Sequence, residues 1–202
     1  MSLSRRSICA IVGLLSLGGV AFAQAPTPTR VRGTIDGVDA HELNVTTRAG
    51  EKLTLKLADN VNLTLIAPIA IDAIQQGSFI GTAAVTQPDG TLKALEVQVF
   101  PEAMRGMGEG HRPWDLGEGS TMTNGTVGDL QVSNGRLLTL TYKGGEKKVF
   151  VPENAPIITY EKGSREDLKK GAHIIALVTH NPAETPTAVR IGVGKDGLVP
   201  PM

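Results

Sequence analysis

Residues 53–57 read Leu53-Thr54-Leu55-Lys56-Leu57, and this strict alternation decides the fold class. Successive side chains of a β-strand point to opposite faces, so the leucines share one face and the two polar residues share the other. The same two-residue period recurs at Leu43 and Val45, at Leu95, Val97 and Val99, at Leu138 and Leu140, at Val149 and Val151, and at Val189, Ile191 and Val193. Between the apolar positions of one run, Glu96 and Gln98 are expected to face water. The pattern predicts an all-β protein.

The alternating runs occur twice in the same order. Five short strings match, at Gly33/Gly125, Gly50/Gly145, Asp59/Glu153, Gly77/Gly171 and Ala94/Ala188. The offset between matched residues is 92 at the first pair, 95 at the second and 94 thereafter. A near-constant offset is the signature of an internal repeat. The sequence therefore predicts two tandem copies of one fold, over residues 30–100 and 123–194, followed by a C-terminal tail at 195–202.

One segment in each copy breaks the alternation, at residues 69–76 and 164–170. Ser164 is followed by acidic residues, as is typical of a helix start, and Gly77 and Gly171 stand where a left-handed C-cap falls. Each copy is thus predicted to hold five or six strands and one short helix. A sheet this small avoids exposed edges by closing on itself, which favours an OB-like β-barrel. A small sandwich is the alternative.

The first 23 residues have the features of a signal peptide. Arg5 and Arg6 precede an uncharged run over residues 8–22, and Ala21-Phe22-Ala23 supplies the small residues that signal peptidase requires. The run would span about 22 Å as a helix, short of the roughly 30 Å hydrocarbon core. Cleavage after Ala23 is therefore expected, with a periplasmic location and no transmembrane segment in the mature chain. Two arginines also suit a twin-arginine signal, so the export route stays open.

Composition excludes several function classes. Cys9 is the only cysteine and lies inside the predicted signal, so the mature chain would lack thiol catalysis and disulfides. Removing Arg5 and Arg6 from 20 basic residues leaves 18 against 20 acidic ones, and aromatics are only 3%. Nucleic-acid binders show a basic surplus and stacking aromatics, so no nucleic-acid partner is expected. No nucleophile elbow or paired-histidine zinc motif occurs, so we predict neither enzymatic activity nor a cofactor.

The segment between the copies, residues 101–122, is unlike the rest. It shows no strand alternation, is rich in glycine, and holds the only tryptophan, Trp114. Trp114 either packs between the two domains or lines a ligand cleft at their interface, where pockets often form. If Trp114 lines a cleft, the neighbouring polar residues are expected to line that cleft with it. The candidate ligand-binding residues are then Arg105, His111, Arg112 and Trp114.

The same segment also suggests a metal site. Met104, Met107 and His111 lie within eight residues and offer thioether and imidazole ligands, which suit Cu(I). Methionine fills gaps in protein cores far more often than it binds metal. Copper binding through this segment is therefore kept as the alternative function.

Several strings resemble a known group of sequences. These are Gly33-Thr34-Ile35, residues 43–47 (Leu-Asn-Val-Thr-Thr), residues 50–55 (Gly-Glu-Lys-Leu-Thr-Leu), residues 77–80 (Gly-Ser-Phe-Ile) and residues 92–97 (Leu-Lys-Ala-Leu-Glu-Val). Together they resemble a bacterial exported domain of unknown function with an OB-like small barrel. Residues 105–115 are similar to a string in uncharacterised proteobacterial periplasmic proteins. The resemblance implies a fold and a compartment but no catalytic residues. We therefore expect a periplasmic, non-enzymatic binding or adaptor protein with a protein, peptide or glycan partner, of undetermined oligomeric state.

Overall fold

The computed structural model describes residues 28–181 and 184–202, and over these ranges the protein is all-β, as predicted. Its strands are β1 (Thr29–Val38), β2 (Glu42–Thr47), β3 (Lys52–Pro68), β4 (Phe79–Thr86), β5 (Leu92–Val99), β6 (Gly110–Pro113), β7 (Ser120–Val132), β8 (Arg136–Tyr142), β9 (Gly145–Val151), β10 (Ile157–Lys162), β11 (His173–Thr179) and β12 (Thr187–Gly194). In the described ranges no helix is long and apolar enough to cross a membrane. The predicted signal peptide, residues 1–23, lies outside the described residues.

Five strands close into a barrel. β1 pairs with β2, β2 with β3, β3 with β12, β12 with β11, and β11 pairs back with β1. Every neighbour is antiparallel except β3 and β12, which run parallel. Closure leaves none of these five strands with a free edge. Inside the barrel, Leu168 from the turn before β11 joins the inward faces of the strands in a core of Ile35, Leu43, Val45, Leu55, Leu57, Leu168, Ile174, Ala176, Val178, Ala188, Ile191 and Val193.

A second β-unit consists of β4, β5, β7, β8 and β9. Its strands pair in the corresponding cyclic order, although only Leu92–Val149 and Lys93–Phe150 join β5 to β9. This unit has its own core, formed by Ile74, Ile80, Ala84, Leu92, Ala94, Val97, Val127, Leu138, Leu140, Val149, Val151 and Ile157. β10 connects it to the barrel, because β10 pairs antiparallel with β3 and parallel with β5.

The strand pairings correct the predicted domain boundaries. The barrel takes β1, β2 and β3 from residues 30–100 but β11 and β12 from residues 123–194, whereas β4 and β5 pair within the second β-unit. Residues 30–100 therefore do not close a barrel by themselves. The reason is β3, which runs for 17 residues with no Gly or Pro before Pro68 to turn it. A strand of that length reaches roughly 50 Å and carries the chain out of the barrel, so β4 begins beside β7.

The predicted helices are reduced to single 3₁₀ turns at the expected places, Ile71–Ala73 and Arg165–Asp167. A capping box holds the second turn, in which the Ser164 backbone N–H donates to Asp167 Oδ2 over 2.7 Å. The glycines that follow, Gly77 and Gly171, have φ of +84° and +87°. This left-handed conformation is open to glycine without strain, which is why glycine terminates both turns.

The segment predicted to lack strands, residues 101–122, is ordered by backbone pairing. It contains β6 and the first residues of β7, which pair with each other. Beyond β6, the Trp114 backbone N–H donates to the Ser120 carbonyl oxygen over 2.8 Å. The glycines permit the tight turn between the two strands. The segment is therefore a fixed hairpin arm packed on β7.

Candidate functional site

A cleft of about 540 Å³ opens where the barrel meets the second β-unit. The barrel contributes Arg30, Asn62, Thr64, Ile66, Ile175, Leu177, Arg190 and Gly192. The second β-unit and β10 contribute Gln98, Phe100, Met122, Asn124 and Tyr160, and the arm and the C-terminal tail add Met104, Met107, Gly108, Arg112, Trp114 and Met202. Small-molecule sites typically measure about 300–1,000 Å³ and form at such junctions, so the cleft has the size and place of a ligand site.

The apolar wall of the cleft comes from the outer face of β11. Ile174 and Ala176 point into the barrel core, so the alternating residues Ile175 and Leu177 point outward and are half-buried. Phe100 and Tyr160 also line the cleft, and their rings stack with centroids 5.6 Å apart and planes at 21°. The lining therefore offers an apolar ligand both aliphatic and aromatic surface.

Trp114 stands between two arginines. The Arg30 Cζ lies 3.9 Å from the indole centroid and the Arg112 Cζ lies 5.4 Å from it. Both distances are within the range of cation–π attraction. The indole Nε1 is buried and has no acceptor among the described residues. An unpaired buried donor costs about 1–3 kcal/mol.

Asp115 fixes the arm to the barrel. Its carboxylate accepts two hydrogen bonds from Arg32, at 2.7 and 3.0 Å, and lies 3.7 Å from Arg30. Arg32 Nε also donates to the Met202 backbone oxygen over 2.7 Å. The hydrogen bonds from Arg32 hold the pKa of Asp115 below its ordinary value. One guanidinium thus joins β1, the arm and the C-terminal tail.

The cleft is electropositive. Its lining holds Arg30, Arg112 and Arg190 and contains no Asp or Glu. Arg112 Nη1 donates to the Gly108 carbonyl oxygen over 2.7 Å, and Arg190 Nη1 lies 4.0 Å from Met107 Sδ. Burial lowers the pKa of the Arg112 guanidinium, and the positive charge of Arg30 lowers it further. Arginine remains protonated in proteins even so, and the cleft presents three cations.

Beside the cleft lies a buried polar chain, which corrects the prediction that Glu96 and Gln98 face water. The two side chains are only 1% and 5% exposed. Gln98 Nε2 donates to Glu96 Oε1 over 3.0 Å, and the Tyr160 hydroxyl donates to Gln98 Oε1 over 2.6 Å. Val97 points into the core as alternation predicts, whereas Leu95 is 38% exposed because the register of β5 shifts between Ala94 and Glu96. Tyr160, whose hydroxyl contacts both Gln98 and Met202, lies against the outer face that carries the polar chain.

Burial changes the acidity of this chain. It raises the pKa of Glu96 to about 7, against the opposing influence of the Gln98 hydrogen bond and of the charges of Arg32 and Arg48. Glu96 Oε2 has no donor among the described residues. Burial also raises the pKa of the Tyr160 phenol, and the charge of Glu96 adds to the effect. Tyr160 is therefore neutral near pH 7 and acts as a hydrogen-bond donor.

The sequence-predicted ligand residues divide into two pairs. Arg112 and Trp114 line the cleft. Arg105 does not, because it forms an ion pair of 2.7 Å with Glu102 on the exposed surface. His111 also lies outside the lining, with its Nδ1 2.8 Å from the Thr123 hydroxyl. Alternation along β6 explains the split, since His111 and Arg112 are neighbours and point to opposite faces.

The predicted metal residues are likewise separated. Met104 and Met107 line the cleft, together with Met122 and Met202, whereas His111 does not. Four of the five methionines of the chain thus meet at one place. Within residues 28–181 and 184–202, no cluster of three His, Cys, Asp or Glu side chains could hold a metal ion. Any metal in the cleft would therefore depend on thioether ligands.

Sequence reasoning missed the barrel side of the cleft. Ile175 and Leu177 could have been found, because residues 174–178 form a continuous apolar run, which predicts a strand covered on both faces. Arg30 and Arg190 carried no such indication. They lie 160 residues apart in the chain and come to the same face of the sheet only through strand pairing.

Comparison with known proteins gives no assignment. No protein-family model matches the chain, and neither a curated protein nor a solved structure shows significant similarity to it. The resemblance to exported bacterial barrel proteins therefore stays a prediction. Function has to be argued from the cleft itself.

Proposed function

We propose that the protein is a non-enzymatic binding protein whose ligand occupies the cleft against Trp114. The observation that carries this proposal is the lining of the cleft, in which three aromatic rings, three arginines and an apolar wall converge on a cavity of about 540 Å³. Binding sites combine an apolar body with a few placed polar groups in this way. The volume suits a small molecule, or a short piece of a peptide or glycan, rather than a folded partner.

The chemistry of the lining supports binding over catalysis. Its titratable side chains are three arginines and Tyr160. Arginine keeps its proton, and burial raises the pKa of Tyr160 above its ordinary value, so none of them exchanges a proton readily near pH 7. These groups orient and neutralise a ligand. We expect no turnover of a bound molecule.

Trp114 provides the test, because it is the only tryptophan and reports the cleft directly. The experiment is a fluorescence and calorimetric titration of the purified protein with small molecules of differing charge and polarity. We expect at least one chemical class to give a saturable change with micromolar affinity. Trp114→Ala should abolish binding and leave the urea midpoint nearly unchanged, whereas Tyr142→Phe, outside the cleft, should alter neither. If Trp114→Ala loses stability and the native protein responds to no ligand, Trp114 serves packing alone.

The compartment forms part of the proposal. The charged start, the apolar run and the Ala21-Phe22-Ala23 site favour export to the periplasm with cleavage after Ala23. N-terminal sequencing of the exported protein should begin at Gln24. Recovery of Met1 from that fraction would refute this part.

Copper binding is the second candidate, favoured by the four methionines that line the cleft. Thioethers are ligands for Cu(I). Anaerobic titration with Cu(I) against a competing chelator should then show affinity much tighter than micromolar. A Met104→Leu and Met107→Leu double variant should lose it, and the control His111→Ala should not, because His111 lies outside the cleft. Micromolar or weaker affinity in the native protein would end this candidate.

A further inference from the structure

The arrangement of charge in the cleft indicates what the ligand carries. Register places Arg30 opposite Leu177 on β11, and Leu177 opposite Arg190 on β12. The three side chains therefore form one row across adjacent strands and point to the same outer face. Strands lie about 4.8 Å apart, so the two arginine Cα atoms flank Leu177 at a separation of about 10 Å. Two long guanidinium side chains can converge on one group above Leu177.

Of the two arginines, Arg190 is the cation without a carboxylate partner, because Arg30 lies 3.7 Å from Asp115, the carboxylate that also neutralises Arg32. Arg32 gives both terminal nitrogens to Asp115. Arg190, by contrast, is exposed, and within the described chain its only polar contact is the weak acceptor Met107 Sδ at 4.0 Å. A guanidinium presents five donors in a planar fork that matches a carboxylate or phosphate. Arg190 therefore has donors to offer an incoming anion.

The remaining surface excludes a purely ionic ligand. Ile175 lies in the next row of the same face, opposite Gly192 on β12. The missing side chain at Gly192 makes space for Ile66 and Ile175 themselves, because a Cβ there would stand 2.7 Å from Ile66 Cδ1 and 3.3 Å from Ile175 Cγ2. Ile175, Leu177 and Phe100 supply an apolar trough in the lining beside the arginine row. Inorganic phosphate or sulfate would leave this trough in water.

We infer that the ligand of this cleft is an amphiphilic anion, a small molecule with one carboxylate-like head and an apolar chain or ring. The head lies between Arg30 and Arg190 over Leu177, and the apolar body runs along Ile175 towards Phe100. Arg112, whose Cζ lies 5.4 Å from the centroid of the Trp114 ring, adds positive charge from the arm. This inference rests on the proposed function and specifies the ligand class for the same site.

The test compares ligands that differ only in the head. Decanoate, decyl phosphate, decan-1-ol and decylamine are titrated into the full mature chain, with calorimetry and Trp114 fluorescence as independent readouts. Sodium phosphate tests the head alone, and 2-naphthoate tests a ring in place of the chain. We expect decanoate to bind about tenfold or more tightly than decan-1-ol, because hydrogen bonds between a guanidinium and a carboxylate are stronger than those to a neutral hydroxyl. Decylamine and sodium phosphate should not bind measurably. Decyl phosphate and 2-naphthoate show which head and which body fit better.

Arginine variants identify the anion site. Arg190→Gln should bring decanoate down to the affinity of decan-1-ol without changing the affinity of decan-1-ol itself. Arg190→Lys, which keeps the charge but loses the planar fork, should fall between the two. Arg105→Gln is the matched control, since Arg105 lies in the arm but outside the cleft. The urea midpoint of each variant verifies that it is folded.

The outcomes separate the two proposals. Equal binding of decanoate and decan-1-ol, insensitive to Arg190→Gln, would overturn the anionic class and leave the cleft as a binding site. Tighter binding of decylamine than of decanoate would also overturn the anionic class. If neither these amphiphiles nor the wider set of small molecules bind, the proposed function fails together with the anionic ligand class.

Discussion

Glu96 offers a quantitative test of how the barrel and the second β-unit meet. Its carboxyl is 1% exposed on the outer face of β5, and one of its oxygens has no donor among the described residues. Burial raises its pKa to about 7. The proposed perturbation is Glu96→Gln, which keeps the size of the side chain and an acceptor for Gln98 but removes the titration.

The sign and size follow from proton linkage. The folded state retains the Glu96 proton up to a pH of about 7, whereas the unfolded chain releases it near the ordinary value of 4.5. Between these values the folded state binds more protons, so the free energy of unfolding falls as the pH rises. The full loss is about 3 kcal/mol, and most of it falls between about pH 5 and about pH 8.5. Because Glu96→Gln removes the titrating carboxyl, the free energy of unfolding of this variant does not fall in this way.

Urea unfolding, followed by Trp114 fluorescence, measures the effect at several pH values. Any constant cost of the new amide cancels when the difference between variant and native protein is compared across pH. We expect the variant to gain roughly 2–3 kcal/mol on the native protein from about pH 5 to about pH 8.5. Glu118→Gln, at an exposed site, controls for the loss of one charge. Parallel profiles of the native protein and Glu96→Gln would refute the burial of this carboxyl.

Two further predictions concern the barrel and the arm. Gly33→Ala should destabilise the fold by about 1–3 kcal/mol in urea unfolding, because the added Cβ would lie 2.3 Å from the Thr46 carbonyl oxygen. Gly37→Ala is its control, since the nearest atom there is 4.0 Å away, and an equal loss in both variants would contradict this account. Asp115→Asn should release the arm from Arg32 and speed proteolysis between β5 and β7 at neutral pH. The pKa of Asp115 lies below its ordinary value of 3.8, so its stabilising contribution is present above pH 3.8 and is lost as the pH falls further. If the variant and the native protein still differed in proteolysis rate in strong acid, the ion pair would not be the cause.

The candidate site was predictable in part. The composition of residues 101–122 identified Arg112 and Trp114, because a lone tryptophan in a glycine-rich stretch needs a surface to pack on. Sequence reasoning could not separate His111 from Arg112, since the alternation of β6 becomes visible only once that short strand pairs with β7. It also placed Glu96 in water. A strand pattern identifies which residues share a face but not what covers that face.

The sequence by itself determined the β class, many of the core residues and the glycines that end the turns, because these depend on local alternation and on backbone freedom. Leu95 and Val189 are exceptions, because register shifts in β5 and β12 displace them from the core faces. Leu55 and Gly171 behave as the pattern predicts. Only the tertiary structure decided which strands close the barrel and where the cleft lies. Partner choice depends on contacts more than 100 residues apart and on the length of β3, which carries the chain past its own barrel. Arg30 and Arg190 become neighbours of Leu177 for that reason alone, and no local pattern encodes their meeting.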